Sequence, residues 1–268
     1  MKFKNVLLAS DFDGTLKTDA GKITRDVIDA IKYFIGEGGR FTVCTGRSYQ
    51  GFHLYDPEYI NAPVLLSNGA AAYDYEKKQL IFNDALGVEC FQTLREIRET
   101  FPSAGIEMYP FYSDKMYSIH LTPFSEQHFT SQGIEFIQVS DPADAVRPFT
   151  KVMIAAHGGI SADVQQLIGK HSEVGYLKTT GDFVEILKKG VDKGTGLLKL
   201  AASLSIDRKD VYAAGDGYND VDMLTAASAG FAPENGSPEA LNAAKYITRS
   251  NNDGCIAHAI EILDKLYK

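Results

Sequence analysis

The sequence predicts an α/β protein in which a doubly wound parallel sheet, covered on both faces by helices, is interrupted by a second, α+β domain. Three observations predict it. Strand-like and helix-like segments alternate over the first 83 residues, the pattern of a parallel sheet with helical crossovers. The same alternation returns after residue 187. Over residues 84–186, helical segments lie among strand-like runs without that alternation, as expected of an insertion built on antiparallel strands. The core is therefore expected at 1–83 and 187–268, and the insertion at 84–186.

Val6-Leu7-Leu8-Ala9 is short and continuously apolar and reads as a buried strand. Asp11 and Asp13 follow it, just before Gly14 breaks the strand. Thr24 is placed to cap a helix whose residues Val27, Ile28, Ile31, Phe34 and Ile35 follow helical spacing, and Gly36, Gly38 and Gly39 end it. Residues 40–44 and 64–67 are the next strands. Residues 72–75 and 79–82 flank Glu76-Lys77-Lys78 as a hairpin. The middle offers a helix near 88–101, with Phe91, Leu94, Ile97 and Phe101 on one face, then strands at 117–121, 135–139 and 151–156 and a helix at 161–170. The end offers a helix at 194–204, a strand at 210–214, a helix at 221–227, a strand at 229–232 and two further helices.

A chain of 268 residues, 44% hydrophobic and 23% charged, has the composition of an ordinary globular protein. It has no apolar stretch of membrane-spanning length, and its N-terminus lacks the apolar core of a signal peptide. A net charge of −8 argues against a nucleic-acid surface, and it means that an anionic substrate must be met by locally concentrated positive charge. Cys44, Cys90 and Cys255 are widely spaced with no Cys-x-x-Cys, which fits a reducing cytosol better than a disulfide framework or a zinc site. The expectation is a cytoplasmic protein with neither a nucleic-acid nor a membrane partner, its oligomeric state, monomer or dimer, left open.

Four short segments fall at strand ends or helix starts, where open α/β sheets bind their ligands. In Asp11-Phe12-Asp13-Gly14-Thr15 two carboxylates sit two positions apart, so an extended chain points both the same way. Like charges that close raise each other's pKa unless a cation lies between them, so the pair implies a metal, a proton-sharing dyad, or both. In Thr45-Gly46-Arg47 a hydroxyl and exposed amides after a strand can form a phosphate-binding nest. Lys193, in Gly190-Val191-Asp192-Lys193-Gly194, stands in the first turn of a helix, where its charge opposes the dipole and calls for an anion. In Gly215-Asp216-Gly217-Tyr218-Asn219-Asp220, acids again crowd a strand end beside glycines. A P-loop, an EF-hand spacing and a Gly-x-Ser-x-Gly elbow are all missing from the sequence.

Taken singly, each segment is a common turn. Together and in this order they resemble the four signatures of haloacid-dehalogenase-like phosphatases. Ser67-Asn68-Gly69-Ala70, Val184-Glu185-Ile186, Asn219-Asp220-Val221-Asp222-Met223-Leu224 and Ser250-Asn251-Asn252-Asp253-Gly254 are similar to the Cof-type subgroup of that superfamily. Phe231-Ala232-Pro233-Glu234-Asn235-Gly236 departs from the subgroup's usual Val-Ala-Met-Gly-Asn-Ala, in a segment read as a loop near the surface.

The resemblance implies a Rossmann-like core with the insertion as a cap over the site, and hydrolysis of phosphate monoesters of small metabolites, often sugar phosphates, with Mg2+. It makes Asp11 the nucleophile that forms an aspartyl-phosphate. Asp13 becomes the acid and then the base, kept protonated by partial burial and nearby charge. Magnesium would take the carboxylates of Asp11 and Asp216 and the main-chain carbonyl of Asp13, with Asp220 orienting that shell. Thr45, Gly46 and Lys193 would hold the phosphoryl oxygens, Asn219 would reach the phosphate or Lys193, and Arg47 would touch the substrate, with Asn68 and Glu185 as further contacts. A phosphomutase or phosphotransferase using the same intermediate, and a phosphometabolite-binding module without catalysis, are the alternatives. A carbon–halogen dehalogenase has no use for Asp13 or magnesium.

Overall fold

A computed structural model describes residues 1–178 and 182–267; residues 179–181, within the expected insertion, and Lys268 lie outside the described residues. In chain order the elements are β1 (Leu7–Ser10), α1 (Arg25–Gly36), β2 (Arg40–Val43), β3 (Val64–Leu66), β4 (Ala71–Asp74), β5 (Gln79–Asn83), α2 (Phe91–Thr100), β6 (Gly105–Pro110) and β7 (Met116–Ile119). There follow α3 (Pro123–Gln132), β8 (Phe136–Gln138), β9 (Phe149–Ala155), α4 (Ser161–Ile168), β10 (Val174–Lys178), β11 (Phe183–Lys188) and α5 (Lys193–Ser203). The chain closes with β12 (Val211–Ala214), α6 (Val221–Ala226), β13 (Ala229–Pro233), α7 (Pro238–Ala243), β14 (Tyr246–Thr248) and α8 (Cys255–Leu266).

Two units emerge. One comprises Met1–Gly46, Leu54–Phe82 and Asp192–Lys268; the other comprises Arg47–His53 and Asn83–Val191. The first holds a parallel sheet in the order β14-β13-β12-β1-β2. Strands alternate their side chains between faces. Leu7, Ala9, Val211 and Ala213 pack with Leu197 and Leu200 of α5 and Met223 and Leu224 of α6. On the other face, α1 buries Val27, Ile31 and Phe34, and α8 buries Ile256, Ala259, Ile260 and Leu263. Phe3 joins the two helices' layer, its ring 4.8 Å from that of Phe34 and 5.8 Å from that of Tyr267. The strand order reverses at β1, which puts a topological switch point beside its carboxyl end.

Two details depart from expectation. The run at 64–67 is not a further strand of the parallel sheet: β3 pairs antiparallel with β4 in a separate three-stranded sheet, β3-β4-β5, and meets the parallel sheet through the bridge Cys44–Leu65. Thr24 does stand at the N-cap of α1, but its side chain makes no capping hydrogen bond.

The second unit is a six-stranded sheet in the order β10-β11-β9-β6-β7-β8, antiparallel throughout except that β7 and β8 run parallel with α3 as their crossover. Phe91, Leu94 and Ile97 of α2 and Val164, Leu167 and Ile168 of α4 share its main core with Ile106, Val152, Ile154 and Val184. The sequence does not announce α3, which has no helical apolar stripe. Its ends define it instead: the Thr122 hydroxyl accepts from Ser125 N, Pro123 opens the first turn and Gly133 closes the helix at φ +66°. Residues 47–53, inside the stretch expected to be core, belong to this unit. Gln50 Nε2 donates to Pro110 O at 2.5 Å and to Ser113 O at 2.7 Å, and the Tyr49 ring lies 4.9 Å from that of Phe111. Among the described residues, no helix is long and apolar enough to cross a membrane.

Candidate active site

The carboxyl ends of the neighbouring parallel strands β1, β2 and β12 carry Asp11, Thr45 and Asp216 at the same end of the sheet in the first unit. Asp11 directly follows β1 and stays in the ladder, its N–H donating to Ala214 O at 2.8 Å. Beyond it, Gly14 turns at φ +85°, so close to Asp216 that a Cβ there would lie 2.6 Å from the Asp216 carboxylate. Thr15 uses that proximity, its hydroxyl donating to Asp216 Oδ1 at 2.6 Å. Behind Asp216, Ser237 N donates to Asp216 O at 2.8 Å. The loop after β13, expected merely near the surface, therefore braces a site residue.

Lys193 is the first residue of α5 and is completely buried. The helix is capped by Asp192 in a capping box with Thr195, which leaves the lysine free to turn inward. Its ammonium donates to Asp11 Oδ1 at 2.5 Å and to Asp220 Oδ1 at 2.6 Å, and these are the anions its position demanded. Asp220 is in turn fixed through Oδ2, which accepts from Asp216 N at 3.0 Å and Gly217 N at 2.9 Å. One buried cation thus ties the end of β1 to the loop after β12.

The electrostatics follow from burial. Desolvation raises the pKa of Asp11 well above the usual carboxylate range; Lys193 opposes the rise, while Asp220 and Asp216 add to it. Desolvation also raises Asp216, against the Thr15 hydrogen bond. For Lys193, burial disfavours the charge, but Asp11 and Asp220 outweigh it and raise the pKa, so the ammonium stays charged. The cluster is short of positive charge. Oxygens of Asp11, Asp216 and Asp220 lie within 4.8 Å of one another, an all-oxygen donor set that suits a hard divalent cation such as magnesium. Asp220 spends both oxygens on Lys193 and the backbone, so Asp11 and Asp216 are the better placed ligands.

Thr45 is buried after β2, with its N–H donating to Leu65 O at 2.9 Å and its carbonyl accepting from Asn68 N at 3.0 Å. Gly46 lies against Asn68, whose amide group is 3.3 Å from where a Cβ would stand. Asn219 Nδ2 donates to Asn68 Oδ1 at 3.0 Å, so it is held by Asn68. Asp13 differs from expectation: its side chain is 51% exposed and pairs with Lys17 at 3.2 Å, so burial does not supply the environment foreseen for a general acid. Arg47 belongs to the other unit, where Nη1 donates to Gly51 O at 3.5 Å. Glu185 is in that unit too, on β11, buried in an ion pair with Lys151 at 3.4 Å. Sequence reasoning gave Thr15 no role and Asn68 only that of a substrate contact, although Asn68 stands just after the apolar run of β3, the setting that marked the other segments.

The cysteines carry none of this chemistry. All are buried and unbridged, and burial pushes the Cys90 and Cys255 thiols up to about 12, far from a thiolate at neutral pH.

A profile of the haloacid dehalogenase-like hydrolase family matches residues 8–260. The chain is 30% identical to YxeH of Bacillus subtilis over 96% of its own length and 97% of that protein's. It is 27% identical to YbjI of Escherichia coli, a 5-amino-6-(5-phospho-D-ribitylamino)uracil phosphatase, over 98% of this chain and 96% of the relative. Its fold is similar to the crystal structure of a haloacid dehalogenase-like hydrolase from Bacteroides thetaiotaomicron, with a TM-score of 0.83 and 25% identity over 96% of this chain and 99% of that one.

Proposed function

The chain belongs to the haloacid dehalogenase-like hydrolase family, and from that premise we propose that it hydrolyses phosphate monoesters of small metabolites, with Asp11 as nucleophile and Mg2+ as cofactor. The observation that carries this reading is the bridge from buried Lys193 to Asp11 and Asp220 beside Asp216. A buried ammonium beside three clustered carboxylates, an oxygen donor set that suits a divalent cation, supports phosphoryl chemistry there. The full-length relative YbjI acts on a phosphate carried by a ribitylamino chain, which supports a small polyhydroxylated ester as substrate class.

A phosphate dianion repels nucleophiles, so positive charge must be in place before it arrives. In a protein of net charge −8, Lys193 supplies part of it. Magnesium would supply the remainder of that charge and so lower the repulsion between nucleophile and phosphate; the Asp11 and Asp216 carboxylates and the Asp13 main-chain carbonyl are the groups that would hold it. Asp11 attacks phosphorus and the ester P–O bond breaks, leaving an aspartyl-phosphate. Asp13 gives its proton to the departing oxygen. It then takes a proton from the water that cleaves the acyl phosphate, which releases inorganic phosphate and regenerates Asp11. Thr45, the Gly46 N–H, Lys193 and Asn219 hold the phosphoryl oxygens.

A panel of phosphorylated metabolites and an aryl phosphate, assayed with magnesium and with EDTA, tests the reading. Phosphate release that needs magnesium is the expected result. Release from no compound at all would favour a binding module.

A further inference from the structure

We propose that residues 67–69 form a positioning loop for the phosphoryl site, in which Asn68 sets the orientation of Asn219 and the shape of the Thr45-Gly46 turn. The inference rests on the phosphatase reading, because it assigns a role to Asn68 in that reaction.

The first support is backbone conformation. Ser67, Asn68 and Gly69 occupy the left-handed region in succession, at φ +49°, +52° and +88°. Non-glycine residues rarely visit that region, and a serine followed by an asparagine there persists only when surrounding contacts fix it. Ser67 shows the cost directly, since its hydroxyl is buried without a hydrogen-bond partner. Backbone outliers of this kind gather at functional sites.

The second support is where the loop's contacts go. Asn68 N donates to Thr45 O at 3.0 Å, and the Asn68 amide group lies 3.3 Å from the Cβ position of Gly46. Asn68 Oδ1 accepts from Asn219 Nδ2 at 3.0 Å. Gly69 packs on the Asp192–Lys193 backbone so closely that a Cβ would clash with Asp192 O and stand 3.2 Å from Lys193 Cα. Gly196, one turn further along α5, meets Gly69 Cα, with a Cβ there only 2.6 Å away. One three-residue loop therefore touches three of the four signature segments, which come from distant parts of the chain. Buried, with only 2% of its surface exposed, Asn68 acts through Asn219 and the turn and is a positioning residue.

Asn68→Gly separates the two roles, since glycine keeps the left-handed backbone while the side chain that meets Asn219 is removed. Turnover of p-nitrophenyl phosphate with magnesium is measured for the wild type, Asn68→Gly, Asn219→Ala and the double variant, together with thermal unfolding and the calorimetric affinity for inorganic phosphate. The expected result is a kcat loss in Asn68→Gly of about 10–100-fold at unchanged melting temperature, the size usual for groups one step removed from the reacting atoms. In the Asn219→Ala background the same change should cost less than about twofold, because the two act as one unit. Phosphate affinity should fall in parallel in both single variants. Wild-type-like kcat and phosphate affinity in Asn68→Gly, or equal losses in both backgrounds, would overturn the proposal. If the wild type itself releases no phosphate, the phosphatase reading fails first; if it turns over normally and Asn68→Gly is silent, only this inference fails.

Discussion

Lys193 Nζ lies 2.5 Å from Asp11 Oδ1, joining residues 182 positions apart in a pair whose lysine is entirely buried. A buried ion pair is held by its completeness: removing one partner leaves the other charge uncompensated in a poorly solvated place. Lys193→Met should therefore destabilise the protein by about 3–5 kcal/mol as well as abolish turnover. Adding Asp11→Asn to that variant should recover part of the loss, the remainder belonging to Asp220, the other carboxylate that Lys193 holds. Denaturant unfolding of the three proteins decides it, and an unstable Lys193→Met that Asp11→Asn does not rescue would show that the pair is not the cause.

Asp13 stands differently. Its carboxylate is half exposed and paired with Lys17, so Asp13→Asn should leave the melting temperature unchanged. The proton-transfer role proposed for Asp13 predicts a kcat loss of about 10²–10⁴-fold. Aryl phosphates, whose leaving groups need no protonation, should still phosphorylate the variant, giving a stoichiometric burst of phenol followed by slow turnover. A stopped-flow trace with neither a burst nor a slowed steady state contradicts the assignment.

Gly14 turns at φ +85° with its Cβ position 2.6 Å from the Asp216 carboxylate. Gly14→Ala should push Asp216 out of place and raise the magnesium concentration needed for half-maximal activity at least about tenfold, the low end of the effect of disturbing a ligand's surroundings. A magnesium titration reads this directly, and an unshifted half-maximum would separate Asp216 from the metal.

The pH dependence has a definite sign. Burial raises Asp11 and Asp216, so the folded protein binds their protons more tightly than the unfolded chain does. Their contribution favours folding at low pH and is lost as pH rises from the ordinary carboxylate range, about 4, through the raised folded values. In EDTA, Asp216→Asn should therefore stabilise the protein more at pH 8 than at pH 5. With magnesium the order matters in the other sense. Protons compete with the cation for the same oxygens, so the gain in melting temperature on adding magnesium should be larger at pH 8 than at pH 5. Thermal unfolding at the two pH values, with and without metal, checks both.

The parallel sheet and the strand-end positions of the candidate residues were legible in the sequence because they obey local rules. An apolar run followed by an acid or a glycine marks a strand end, as at Asp11, Thr45 and Asp216, and a lysine in a helix's first turn advertises an anion. What escaped depends on contacts between distant residues. Nothing local in Asn68 reveals a bond to Asn219, 151 residues away. Nothing near Asp13 foretells its exposure, which is set by how Lys17 and the following turn fold back. In the second unit, β6 escaped because Glu107 interrupts its apolar pattern, yet that glutamate is fully buried, accepting from the Tyr109 hydroxyl at 2.8 Å. α3 escaped because its caps, and no apolar stripe, define it.

The most direct test of the account compares phosphate release by the wild type and Asp11→Asn on the best compound of a phosphorylated-metabolite panel, at saturating magnesium, with circular dichroism to confirm that both are folded. Sustained release by the wild type, and none above background by a folded Asp11→Asn, is the expected result. Substantial turnover by that variant would contradict it, because the ester would then be cleaved without the carboxylate that Lys193 holds.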